Sequence, residues 1–375
     1  MGPVHRFARA ALAATAVALA ISAPAAAHDM GVEVVASGLD NPRGLDLADG
    51  TLWVTEAGKG GTGPCVPGPE MTPVCFGLSG ALTAIDLQSG AKDRVLSGLP
   101  SLANPDGSSA TGPSDVSLGR KLWMTIGLGG PTATRDLLPP AGQGMGRLYR
   151  LGDLGLEAVA DLHAFEVANN PDADQPGSDI ESNPNSLDAK AKPVVVADAG
   201  GNDILAIRHG QISIVALLPF GTAEAPAMPG MPPPPPGTML PVDPVPTSVV
   251  RGPDGSLYVG QLTGFPFVPG AASVFRIPPG GGTPEVVASG FTLITDLAIG
   301  DDGSLYVVEF STQSLLAGPA PGALIKVAPD GTRSELAAGM LVTPTGIVLG
   351  RDAAYVSNYG AAPGKGQVLR VPLGH

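Results

Sequence analysis

The chain has 375 residues, 21 Lys and Arg against 34 Asp and Glu, and a formal net charge of −13. That balance argues against nucleic acid and anionic membrane surfaces as partners and favours cations or basic ligands. Gly and Pro number 53 and 40 while aromatics are 4%, which signals many turns rather than long helices.

The first 27 residues read as an export signal. Arg6 and Arg9 precede the short apolar stretch "AALAATAVALAIS", and "APAAA" supplies a small-residue cleavage site after Ala27. The apolar run is too short for a spanning helix, and no later segment is long and apolar enough. The mature chain keeps 19 basic residues against 34 acidic ones, about −15 net. A secreted, monomeric protein with one domain over 28–375 is expected. In that compartment Cys65 and Cys75 are predicted to form a disulfide. Closing so short a loop adds up to roughly 3 kcal/mol through the unfolded state. Two cysteines without nearby histidines make a poor zinc site.

After a strand-like "GVEVVASGL" (31–39), one pattern runs through the chain six times. "NPRGLDLADGTLWVTEAG" (41–58) is a prolyl turn, an apolar strand, a tight Asp-Gly turn and a second strand. It returns at 112–129, 183–200, 245–264, 293–311 and 343–360, with Pro42, Pro113, Pro184, Pro246 and Pro344 aligned and Ile294 in the fifth copy. The spacings are 71, 71, 62, 48 and 50 residues, and further strands such as "ALTAIDL" and "PEVVASGF" follow the hairpins. About four strands per unit is a propeller blade. The prediction is an all-β, six-bladed β-propeller of NHL/TolB-like type. Its last unit has only three strands, so 31–39 is predicted to complete it and leave no open edge. The proline-dense stretch 221–246, with Pro232 to Pro236 in a row, reads as a stiff surface loop between blades three and four.

Several stretches, "CVPGPEMTPVCFG", "ATGPSDVSLG", "VANNPD", "VVADAGGNDIL" and "QLTGFPFVPGA" among them, resemble the ScyD/ScyE family of exported bacterial propellers. The likeness covers nearly the whole mature chain. More distantly the chain is similar to NHL-repeat propellers and to gluconolactonase-like and strictosidine-synthase-like proteins. The resemblance implies six blades and export; it carries no defined activity.

In a blade of this kind the prolyl turn and the exit of the second strand lie at the same end. The exits are Glu56, Ile126, Asp198, Gln261, Glu309 and Asn358. The first-strand starts add Asn41, Arg43, Ser114, Asp115, Asn185, Thr247, Thr295, Asp296 and Thr345. Together they predict a polar, acidic mouth for a small molecule or protein partner. Oxygen ligands of this sort suit Ca²⁺. Similarity to the lactonases implies a metal set of Glu56, Asn185, Asp198 and Glu309, although "NPNS" lacks the turn glycine of the lactonase pattern. "ADAGGND" adds Asn202 and Asp203 as candidate ligands. His163 and His209 fall away from channel-facing repeat positions, so neither a Ser-His-Asp triad nor a quinone-dependent sugar dehydrogenase is supported. A non-enzymatic binding or scaffolding protein is the leading expectation. A Ca²⁺-dependent lactonase-like hydrolase is the alternative, and docking through the proline-rich loop a third.

Overall fold

The computed structural model describes residues 31–374 except 70, 71, 229 and 231; the expected export signal lies outside the described residues. Six antiparallel sheets are arranged as blades. From the channel outward, blade one runs Pro42–Ala48, Thr51–Glu56, Pro73–Asp86, Lys92–Ala103. Blade two runs Pro113–Leu118, Leu122–Ile126, Arg147–Gly152, Gly155–Asp161. Blade three runs Pro184–Asp188, Val194–Asp198, Asp203–Arg208, Gln211–Leu217. Blade four runs Pro246–Arg251, Leu257–Gln261, Ala272–Ile277, Glu285–Phe291. Blade five runs Ile294–Ile299, Leu305–Glu309, Ala323–Val327, Arg333–Leu336. Blade six has Gly346–Leu349, Ala353–Asn358 and Pro363–Pro372, and Glu33–Asp40 pairs antiparallel with the last of these. The predicted N-terminal closure is therefore present.

The core is divided into wedges. Each interface between neighbouring blades has its own apolar cluster, as where Leu82 of blade one meets Val116 and Met124 of blade two, or Val195 and Ile204 of blade three meet Val249 and Phe275 of blade four. Both faces of a blade are covered, so inner strands such as "VVVAD" are buried at every position rather than alternating. The closing wedge joins Ala36 and Leu39 of the N-terminal strand to Leu52, Val54 and Ile85 of blade one.

Three features departed from the simple repeat. Cys65–Pro67 adds a short strand to blade one, and the Cys65–Cys75 disulfide staples it to the facing strand. The flanks of the proline-rich stretch pair as a hairpin, Gly221–Glu224 with Met239–Val242, which periodicity did not foretell. A short helix, α1, spans Leu162–Asn169; Asp161 caps its first turn by accepting from the Ala164 N–H, and Asn170 ends it in a left-handed conformation.

Leu39 is fully buried at the seam. Leu39→Ala is expected to cost about 2–5 kcal/mol in denaturant unfolding. The same change at Val34, which is 56% exposed, should stay within about 0.5 kcal/mol. Equal effects at the two positions would show that blade six is not closed this way.

Candidate functional site

The innermost strand of each blade is a sheet edge whose N–H and C=O groups point along the channel wall toward the next blade. Counting from the aligned proline, side chains at the first position donate to the next blade: Thr247 to the Ile294 carbonyl (2.6 Å), Thr295 to Pro344 (3.0 Å), Thr345 to Pro42 (2.7 Å), and Asn185 to Thr247 (2.6 Å). The second position accepts. Asp115 takes the Leu187 N–H (2.8 Å), Ser186 the Val249 N–H (3.2 Å), Ser248 the Leu297 N–H (3.1 Å) and Asp296 the Ile347 N–H (2.8 Å). The fourth position repeats the device in three blades: Asp46 accepts from Leu118 N, Ser117 from Ala189 N and Asp188 from Arg251 N. In blades four to six that position is Val250, Ala298 and Val348. Most of the polarity that the sequence places at the first-strand starts is thus spent on joining blades.

Blades six and one carry glycine at the second position because the strands approach closely there. A Cβ on Gly44 would stand 1.9 Å from Asp115 Oδ1, and one on Gly346 would stand 2.3 Å from the Arg43 carbonyl. The Arg43 guanidinium donates to the carbonyls of Gly360 (2.7 Å) and Ala110 (2.6 Å), tying the last blade to the approach of the second. Burial lowers its pKa to about 10, so it stays charged at neutral pH.

The second-strand exits have one recurring task. Each holds the turn that leads into its own blade. Glu56 accepts from Asp40 N, Asp198 from Asn183 N, Glu309 from Thr292 N and Asn358 from Val342 N, all at 2.6–2.7 Å. The turns need holding: Asn41, Val245, Leu293 and Thr343 adopt φ of 52°, 51°, 51° and 44°, a costly region for β-branched side chains. Blade four has proline at the residue being held. Pro244 offers no N–H, and the exit is Gln261, whose amide instead donates to the Pro244 carbonyl (3.3 Å). Glu56 is further held by the Thr83 hydroxyl and by two bonds from Arg94, at 2.9 and 2.6 Å. Asp198 also takes the Ser182 hydroxyl and the N–H groups of Gly200 and Gly201.

Glu56, Asn185, Asp198 and Glu309 are therefore spread over blades one, three and five, each engaged with chain near its own blade. Among the described residues no three His, Cys, Asp or Glu side chains are gathered so as to hold a metal ion. His163 lies on α1, and His209 in the outer hairpin turn of blade three.

The large cavity opens at the other end of the channel, where the hairpin turns are. It measures about 800 Å³, with Asp115, Ser186 and Asp296 deep in the lining and Asp301, Asp302 and Arg351 from turns at the mouth. Six aspartates line it against Lys190, Lys326 and Arg351. Two of the cations are already paired, Lys190 with Asp46 (3.3 Å) and Lys326 with Asp302 (3.8 Å). Asp115 and Asp296 come from opposite blades. Burial raises both carboxyls, Asp296 to about 6 and Asp115 well above its ordinary value, and the charge of Asp296 pushes Asp115 further. The sequence reading named these two among the channel positions but missed Asp46, Asp188, Asp301, Asp302 and Lys190. Their signal was the charged hairpin turns "GDDG" and "LGRD", at the end not considered.

No protein-family profile and no curated sequence matches the chain. Among solved structures, it resembles the PQQ-bound aldose sugar dehydrogenase of Streptomyces coelicolor (13% identity, TM-score 0.51, covering 91% of this chain and 98% of that one). It also resembles a glucose dehydrogenase (13%, 0.50, 92% and 99%). A protein described as a gluconolactonase aligns with 12% identity and a TM-score of 0.49 over 92% and 94% of the two chains. At these identities the likeness speaks to the propeller fold alone.

Two outcomes follow from this geometry. Gln261→Glu sets a carboxylate against the Pro244 carbonyl and should cost about 1–3 kcal/mol. Pro244→Ala restores an N–H for that carboxylate, so the double variant should show favourable coupling in a mutant cycle; strictly additive losses would contradict the exit-to-turn clamp. Asp296 has a folded pKa above its unfolded one of about 4, so its ionisation opposes folding. Wild-type stability measured relative to Asp296→Asn should fall as pH rises from about 4 to about 6; a flat difference over that window refutes the assignment.

Proposed function

We propose that this protein is a secreted, non-enzymatic binding propeller that holds a small organic cation in the cavity at the hairpin-turn end of its channel. The observation that carries this reading is the roughly 800 Å³ cavity with six aspartates against three cations in its lining. The volume suits a small-molecule ligand. A positive group near Asp115 and Asp296 relieves the mutual repulsion that burial imposes on them, which gives the ligand's charge its preference. Blades five and six supply much of the lining, and their inner strands carry no polar side chain at the fourth position, so ligand atoms can reach the wall there.

Export is part of the reading. The disulfide fits an oxidising compartment, and among the described residues no helix is long and apolar enough to cross a membrane. Membership of the ScyD/ScyE family rests on the quoted sequence stretches. The lactonase-like alternative requires Glu56, Asp198 and Glu309 to release backbone groups that they now satisfy, and no observation favours it.

Calorimetry with spermidine, putrescine, glucose and gluconate tests the reading. The polyamines should bind without being consumed, weaken with salt and lose about tenfold or more in affinity in Asp301→Lys. Binding of gluconate or glucose in preference to the amines, or turnover of any of them, would overturn it.

A further inference from the structure

Blade three contains acids that neither the channel nor the blade clamps explain. Asp203, at the start of its third strand, is 0% exposed, and neither of its carboxylate oxygens has a hydrogen-bond partner. An unpartnered carboxylate in such a place is costly unless a proton or a cation joins it. Its neighbours are of the same sign. Asp198, Glu166 of α1 and Asp172 from the following loop are each at most 2% exposed, and all three act on Asp203 electrostatically.

The local chain brings these groups together for identifiable reasons. The left-handed Asn170 ends α1 and turns the chain so that Asp172 comes back beside Glu166. With its amide nitrogen facing them, Asn170 lies 3.3 Å from Glu166 Oε1 and 3.0 Å from Asp172 Oδ1. Asn202 Nδ2 donates to Asp172 Oδ2 at 3.0 Å. Gly201 sits between two of the acids: a Cβ there would be 3.1 Å from Glu166 Oε2 and 3.6 Å from Asp198 Cγ. Among the described residues, the ion pairs of Lys and Arg all go to other acids.

We propose that Glu166, Asp172 and Asp203, backed by Asp198, form a binding site for one divalent cation, Ca²⁺ by preference. The donors are all oxygen, with neither His nor Cys among them, which selects a hard ion over zinc or copper. Ca²⁺ tolerates irregular, partly hydrated shells better than Mg²⁺ does. The acids are not already gathered round one point; rotation of Glu166 about its side-chain bonds closes the set. The bound ion pins α1 and the loop after it to blade three. Because Asn202 Oδ1 accepts from Val245 N at 3.2 Å, it also steadies the entrance to blade four. This site stands apart from the channel cavity and does not depend on the ligand proposed for it.

The test is calorimetric titration of CaCl₂ into the chelator-treated full chain, with thermal melts beside it. One Ca²⁺ per chain should bind, raise the melting temperature and bind at least tenfold more tightly than Mg²⁺. Asp203→Asn and, separately, Asp172→Asn should weaken binding at least a hundredfold. Without metal, Asp203→Asn should melt no lower than wild type, because it removes a buried charge; Asp172→Asn, on the loop, gives an independent check on binding. Absence of heat up to about 1 mM Ca²⁺, the weak end of protein calcium sites, overturns the proposal and leaves the acids neutralised by protons. Binding that survives both substitutions overturns it too.

Discussion

A propeller blade ends at the channel in a strand with one side unpaired. That edge cannot be satisfied by its own sheet, and it lies where a partner strand has no room. Here the solution is a set of short side chains reaching from each blade to the backbone of the next, Thr to carbonyl at one level and Asp or Ser to N–H at the next two. Such bonds are individually worth about 1 kcal/mol, but they fix the angle and height of every blade against its neighbour. The apolar wedges then have a defined gap to fill. The polar character of the channel is first a requirement of architecture, and only what remains after it can serve a ligand.

The same logic governs the outer rim of the channel's prolyl end. A left-handed residue before each inner strand is unfavourable for Val, Leu or Thr, and the exit side chain of the same blade repays part of that cost by gripping the turn. Glu56 carries the most elaborate version, with Arg94 neutralising it. An acid that is bonded on every oxygen by its own fold has little left to offer an ion. The unsatisfied acid is elsewhere, at Asp203, one strand further from the channel.

Much of the fold was legible in the sequence because blades repeat. Aligned prolines and Asp-Gly turns marked the hairpins, and "GVEVVASGL" matched an outer strand elsewhere, so closure of blade six could be read directly. The hairpin at 221–242 could not, since four-residue strands flanking a proline run have no periodicity to detect. The exit residues were found as a class, and their polarity was real. What the one-dimensional pattern concealed was where each side chain spends its hydrogen bonds: the same acid looks identical in sequence whether it faces solvent, an arginine or a turn. The cavity lay at the opposite end for the same reason, as charged hairpin turns usually signal no more than solvation. Glu166 and Asp172 were invisible as neighbours of Asp203 because a helix stop at Asn170 brings them there.

The pairing of Glu33–Asp40 with Pro363–Pro372 has a consequence for the order of assembly. Blades one to five can each form from contiguous chain as they are synthesised. Blade six cannot, because its outer strand is among the first segments made and its partner among the last. Through most of synthesis the strand "EVVASGLD" must therefore wait, an unpaired ribbon with apolar Leu39 uncovered. The ring is a latch thrown once, late, by contacts spanning nearly the full described sequence, and such long-range closure is slow. Any chaperone attending this protein in its infancy has a single, well-defined stretch to guard.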